Sequence, residues 1–354
     1  MTEDPSCSCS VTQNKQKIPQ VTTELCWAYR LGAFKVRWGI GRMNYMAAPG
    51  LYAVGEPDTE SPVLVSANYK LSFDHLRSRL GGLSDLGIKG VWILVLDTKG
   101  INVWCAAGKG TFGTDEIVNR VEAVSLADIV KHRKLIVPQL GAPGVSAHEV
   151  KKRSGFKVIY GPVRADDIPA FLEADMKATD KMRQVTFPLW SRMVLIPVEL
   201  MMGLRYTIFA ALCFFLLGGL HRGGYSSSLA MDRGLTGAIL LFSAFMAGCV
   251  LGPMLLPWVP GRAFALKGLW IGLAITAGLG YYWWPLPENG VHLVTAGAWL
   301  IIIPAVVSFI LMNFTGASTF TSLSGVRREM RTAVPLQAAG AVIGVGLYIT
   351  GLFF

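Results

Sequence analysis

Five long apolar runs are crowded into the C-terminal part of this 354-residue chain, at residues 204–220, 235–257, 268–286, 291–313 and 333–354. Each is close to the ~20 residues that an α-helix needs to cross a hydrocarbon layer. The first is the shortest, and residues 194–202 upstream either extend it or lie at the interface. Residues 1–192 carry most of the charge, although charged residues make up only 16% of the chain. The expected plan is therefore a polar half followed by a five-helix transmembrane half. Its segments would be an N-terminal extension wrapping the core (1–60), an α/β domain (61–180), a linker or interfacial segment (181–203) and the membrane domain (204–354).

Lysine and arginine set the expected orientation. Arg262, Lys267, Arg327, Arg328 and Arg331 fall in the second and fourth inter-span loops, but only Arg222 and Arg233 in the first and third. Lys177, Lys181, Arg183 and Arg192 precede the first span. All three sets place the N-terminal half in the cytoplasm and the C-terminus outside an inner membrane. No apolar core of a signal peptide is seen in residues 1–25. Basic cytoplasmic loops also account for the net charge of +10. Nucleic acid is not expected as a partner, because no basic stripe with interleaved aromatics is seen. No Asp, Glu, Lys or Arg is expected mid-span, which argues for an anchor rather than a pump. Gly272, Gly278, Gly280, Gly340, Gly344 and Gly346 suit close helix packing. Cys213 and Cys249 either pack or relay a soft metal ion.

In the polar half, strands and helices alternate. Strands are expected at 62–67, 90–96, 135–139 and 157–160. Helices are expected after Ser72, over 114–123, from a capping box at Ser146-x-x-Glu149 and over 166–177. Parallel strands covered by helices imply a doubly wound, Rossmann-like α/β domain, which binds ligands beyond the carboxyl ends of its strands. The loops there are 68–71, 97–104, 140–144 and 161–164. Asn68 and Thr98 would either bond a ligand or cap the loops. Gly141, Ala142 and Gly144 would line the crevice or simply form a turn. Trp38 to Gly41 and Pro49-Gly50 read as loops. Cys7 and Cys9 either bind a soft metal or belong to a disordered start. No Cys-x-x-Cys pair is present, so an in-chain iron–sulfur cluster is not expected.

The run Asn102-Val103-Trp104-Cys105-Ala106-Ala107-Gly108-Lys109-Gly110-Thr111-Phe112-Gly113-Thr114 places one cysteine beside small residues at a strand end. Close to a helix N-terminus and to Lys109, Cys105 should ionise readily. By residues alone it is a thiolate ligand, a nucleophile or a buried inert cysteine. This run, with residues 66–74 (SANYKLSFD) and 96–101 (LDTKGI), resembles the HgcA family, the membrane-anchored corrinoid proteins of microbial mercury methylation. A related pattern occurs in the large subunit of the corrinoid iron–sulfur protein of the acetyl-CoA pathway, which lacks this cysteine and carries cluster cysteines absent here.

The resemblance implies a cobamide cofactor with Cys105 as lower axial ligand to cobalt. Residues 102–109 would form a short cap helix presenting it, with Asn102, Val103, Trp104, Ala106, Ala107, Gly108 and Lys109 against the cofactor. It implies methyl transfer to Hg(II), a methylated folate as donor, and a ferredoxin-like partner with two 4Fe–4S clusters (HgcB) as reductant. The histidine-ligating signature Asp-x-His-x-x-Gly is absent around His75, His132, His148, His221 and His292. Two other readings stay open: a membrane-tethered cobamide-binding module for sensing or uptake, and a methyl carrier of one-carbon metabolism.

Overall fold

The structure is a computed structural model that describes residues 18–282, 290–316 and 323–353. The chain divides into two compact units, Met1–Thr186 and Phe187–Phe354.

The first unit is built on a six-stranded sheet: β1 (Gln20–Val21), β2 (Gly50–Gly55), β3 (Val63–Ala67), β4 (Gly90–Leu96), β5 (Lys134–Val137) and β6 (Lys157–Tyr160), in the order β1-β2-β4-β3-β5-β6. Every residue of β3 and β4 is buried. That is what continuous apolar runs require when helices cover both faces of a sheet. The helices are α1 (Trp27–Arg37), α2 (Lys70–Ser78), α3 (Val103–Lys109), α4 (Thr114–Ala123), α5 (Leu126–Ile129), α6 (Ala147–Ser154) and α7 (Ile168–Glu173). One core holds Val65, Leu94, Ala106, Phe112, Ile117, Val121, Leu126 and Val150, under α3 to α6. The other holds Leu64, Phe73, Ile93, Ile136, Ile168 and Phe171, under α2 and α7. The four strands β4-β3-β5-β6 are parallel to one another, as expected.

The sheet as a whole is mixed. The extension, read as loops wrapping a core, instead supplies α1 and two strands. β2 lies antiparallel to β4, pairing Gly50 with Val95 through Gly55 with Gly90. β1 lies parallel to β2. The boundary after residue 180 also moves. Val163 N donates to Met182 O at 2.8 Å and Arg164 Nη1 to Thr186 Oγ1 at 3.4 Å, so residues 181–186 stay with this unit. Smaller shifts have local causes. α2 starts at Lys70 rather than after Ser72, because Tyr69 O already accepts from Ser72 N and Phe73 N. β5 stops at Val137, since Pro138 has no N–H to give. Ser146 stands at the start of α6 without the expected capping hydrogen bond; its hydroxyl pairs with His148 Nδ1 at 3.1 Å. The helix expected over 166–177 spans only Ile168–Glu173, and a further short helix follows at Asp180–Arg183.

Among the described residues, the second unit contains five helices long and apolar enough to cross a membrane: Leu189–Leu217, Ser227–Leu255, Phe264–Tyr281, Leu293–Asn313 and Ser324–Phe353. The parts of the expected runs at 283–286 and at 354 lie outside the described residues. The first helix absorbs residues 194–202 and thereby adds Glu199 to the Arg205 of the expected run, so that both charges lie away from its ends, where no mid-span charge was expected. Three charged side chains meet helix ends. Arg192 Nη1 donates to Pro253 O and Met254 O at 2.7 Å, and Lys267 Nζ to Leu256 O and Val259 O at 2.6 Å. Glu329 Oε1 accepts from Ala265 N at 2.6 Å. Orphan backbone groups at helix termini are thus satisfied by charges that themselves need partners. Of the span glycines, Gly272 lies against Pro304 and Gly344 against Ile302, so closely that a Cβ would collide; around Gly278, Gly280 and Gly346 there is open space. Cys249 is buried and Cys213 half-buried.

Candidate functional site

The parallel strands place the site. The chain passes from β3 to β4 on one side, then crosses back to β5 on the other. The connections diverge above β3, and the carboxyl edge at such a point is the usual ligand position in sheets of this kind. Asn68 follows β3, Asp97 and Thr98 follow β4, and a 3₁₀ run Gln139–Gly144 follows β5.

Asn68 laces two of these loops together. It is 3% exposed. Its Oδ1 accepts from Thr98 N at 3.2 Å, from Thr98 Oγ1 at 2.8 Å and from Gly100 N at 2.9 Å, while its Nδ2 donates to Asp97 Oδ1 at 3.2 Å. Thr98 is fully buried, with its hydroxyl also 2.7 Å from Ile101 O. The polar groups of Asn68 and Thr98 are therefore engaged in bracing. Lys99 and Gly100 adopt positive φ of 57° and 70° to complete the turn, a conformation that Gly accepts readily and Lys only under constraint. Asp97 pairs with Lys99, whose ammonium holds its carboxyl below the usual range. Asp97 N also donates to Glu116 Oε1 at 2.8 Å, which ties the loop to α4.

This braced turn delivers α3. Asn102 caps the helix: its Oδ1 accepts from Cys105 N at 2.9 Å, and Gly110 ends the helix at φ 82°. Ala106 and Ala107 face the core and Val103 packs against it. Cys105, Asn102 and Trp104 are half-buried, and Gly108 and Lys109 are exposed. Burial pushes the Cys105 thiol above its ordinary range, against a side-chain hydrogen bond from Asn102 and the positive charges of Lys109 and Arg42. The expectation of ready ionisation is thereby corrected. Desolvation penalises the thiolate more than the Asn102 hydrogen bond and the two cations favour it.

Two of the expected crevice glycines do a different job. A Cβ on Gly141 would lie 2.4 Å from the Phe112 ring, and one on Gly144 would lie 2.2 Å from Phe112 O and 3.1 Å from the Ala107 Cα. They let the 139–144 run dock against α3 and the turn behind it. Ala142 is half-buried between them. At Gly108 and Gly110, by contrast, a Cβ would meet nothing within 4 Å.

Four residues here escaped sequence reading: Arg42, Met46, Phe112 and Glu116. Phe112 lies within the cysteine-centred run, so its apolar ring amid glycines was the available signal. Arg42 and Met46 belong to the extension, where no periodic pattern pointed to the crevice. Met46 forms a bridge with Tyr69 and its Sδ would lie 2.8 Å from a Cβ on Gly100.

Among the described residues, no group of three His, Cys, Asp or Glu side chains could hold a metal ion. Cys7 and Cys9 lie outside them. A single soft sulfur beside open glycine surface fits a metal whose other positions are filled by a flat macrocycle, better than a metal caged by protein alone.

Residues 42–172 match the protein family described as CO dehydrogenase/acetyl-CoA synthase delta subunit. Among curated proteins, the chain is similar to the acetyl-CoA decarbonylase/synthase complex subunit gamma of Methanopyrus kandleri, 33% identical over 127 residues, covering 36% of this chain and 26% of that protein. It is similar to the same subunit of Archaeoglobus fulgidus, 33% identical over 132 residues, covering 37% and 27%. It is also similar to subunit gamma 2 of Methanosarcina thermophila, 32% identical over 127 residues, covering 35% and 25%. The chain thus spans about a quarter of the length of these relatives, and the family match at residues 42–172 lies within the first unit.

Proposed function

We propose that this chain is a corrinoid-dependent methyltransferase whose α/β unit holds a cobamide, with the Cys105 sulfur as the lower ligand to cobalt, and which passes a methyl group to Hg(II). The observation that carries the reading is the half-exposed Cys105 sulfur on α3, at the carboxyl edge of the sheet and next to the open surface of Gly108. The likeness of this unit to acetyl-CoA decarbonylase/synthase subunits supports the wider corrinoid reading. The cysteine-centred run supports the mercury-specific one.

When bound, the cobamide supplies a methyl group carried on cobalt. The chain's residues do the rest. Cys105 would hold the metal through a soft sulfur donor and, once deprotonated, would supply it with the electron density that methyl transfer to Hg(II) requires. The Asn102 side chain holds Cys105 in place, accepting from the Cys105 backbone N–H and hydrogen-bonding its thiol. Lys109 and Arg42 offset the charge that forms when the thiol loses its proton. Asn68, Thr98 and Glu116 keep the supporting loops rigid. Methyl would come from a methylated folate, and electrons from a ferredoxin-like partner with two 4Fe–4S clusters. The five apolar helices would anchor the unit on the cytoplasmic side of the membrane.

The test is the absorption spectrum of the cobamide-loaded full chain, alone and as Cys105→Ala and Cys105→His, followed by methyl transfer to Hg(II). A sulfur–cobalt bond shifts the oxidised cofactor's bands, and Cys105→Ala loses both shift and turnover. Identical spectra in all three proteins would remove the ligand role. The likeness to acetyl-CoA decarbonylase/synthase subunits favours one further reading, a methyl carrier of one-carbon metabolism. That carrier would keep the spectral shift and leave Hg(II) unmethylated.

A further inference from the structure

Helix α1 presents to solvent a face that the corrinoid reading does not use. Trp27, Leu31 and Phe34 stand at positions i, i+4 and i+7, so they form one stripe along the helix. They are 75%, 39% and 58% exposed. Arg30 and Arg37 flank the stripe on one side and Lys35 on the other. Beyond the helix, Ile40 and Met43 are 59% and 69% exposed, and Arg42 adds a fourth cation. No Asp or Glu occurs from residue 25 to residue 55.

The opposite face is fixed to the α/β unit. Val36 is 2% exposed. Gly32 lies so close to the Tyr45 ring that a Cβ would sit 2.8 Å from its hydroxyl oxygen. The Tyr29 ring receives the Lys70 ammonium at 4.4 Å and the Arg77 guanidinium at 4.7 Å. Arg77 also donates to Thr22 O at 2.5 Å and pairs with buried Asp74 at 2.8 Å. The helix is thus bolted down by its inner face, and the tryptophan–leucine–phenylalanine stripe stays exposed, with the Phe34 ring 6.1 Å from that of Trp38 just beyond the helix.

We infer that the outer face of α1 docks onto the surface of an anionic lipid bilayer. Three features select this occupant. A tryptophan-containing apolar stripe flanked by cations is the composition of helices that lie in the headgroup plane. Four cations with no acidic residue nearby match a negatively charged leaflet. The same chain carries five helices able to cross a membrane, which keeps a bilayer within reach of this unit. The sequence reading passed over the stripe because its aromatic and basic residues look scattered until the helix brings them together. Docking would also hold the segment that brings Arg42 toward Cys105.

The experiment uses the full chain in nanodiscs of phosphatidylcholine, with or without phosphatidylglycerol, and follows trypsin cleavage after Arg37 and Arg42. Anionic lipid is expected to slow cleavage by about tenfold or more relative to neutral lipid, since each cation near the surface contributes several-fold. High salt should abolish the difference. Arg30→Glu combined with Lys35→Glu should do the same. Phe34→Ser should weaken protection while leaving the thermal unfolding midpoint in place, because this ring is largely exposed. Equal cleavage in both lipids overturns the inference, whether fast, which means a free face, or slow, which means a face covered by protein. If the charge-reversed protein fails to fold, the lipid and salt comparisons on the unaltered chain still decide.

Discussion

At Cys105, burial and charge pull in opposite directions, and burial wins. The free thiol therefore holds its proton above the ordinary range. Coordination as a thiolate must release that proton, so metal binding and proton release are coupled. The sign follows directly. Below the raised pKa each unit of added pH removes a tenfold competition from the proton, and binding tightens as pH rises. Titration of the full chain with a cobamide should give an apparent affinity that rises by about tenfold per pH unit through neutrality. It should level off only above the range of an ordinary thiol. Cys105→Ala should bind with a flat pH profile. A flat profile in the unaltered protein would mean that sulfur enters as the neutral thiol or not at all.

At the scale of elements, α3 is held between two kinds of glycine. Gly144 lies where any side chain would strike the Phe112 carbonyl and the Ala107 backbone. Gly144→Ala should lower stability by about 1–3 kcal/mol, the usual cost of overpacking, as read by chemical unfolding. Gly108 is helical, exposed and surrounded by open space. Gly108→Ala should leave stability unchanged or raise it by up to ~1 kcal/mol. The same change should weaken cobamide binding if the ring lies across α3. Undiminished binding by Gly108→Ala would place the ring elsewhere.

The contrast between these glycines explains what the sequence could convey. Gly-rich loops beside a strand end announced a crevice, and the apolar runs of β3 and β4 announced its scaffold. Neither could say that Gly141 and Gly144 make room for the chain's own Phe112, whereas Gly108 faces outward. That distinction depends on contacts between segments about 30 residues apart. The roles of Asn68 and Thr98 likewise appear only when two loops meet. Strand β2 left little local trace, because its residues gain their pairing from β4, about 40 positions downstream.

On the scale of the whole molecule, charge placement gives the membrane reading its test. With residues 1–186 in the cytoplasm, protease added to intact spheroplasts should spare them and remove an epitope fused after Phe354. Inverted vesicles should give the reverse pattern. An epitope protected in spheroplasts would refute the orientation expected from the basic loops.

The antiparallel partnership of β2 and β4 has a practical corollary for anyone wishing to study the α/β unit alone. Trimming the chain to begin at residue 61 would leave the β2-facing edge of a seven-residue, fully buried strand unpaired, with only its other edge still held by β3. Exposed edges of that kind recruit other copies of themselves. Such a fragment should collect in insoluble aggregates, whereas one starting ahead of Gln20 should remain dispersed and bind cofactor. The leading segment is therefore an internal wall of the α/β unit, and deleting it amounts to deleting part of the core.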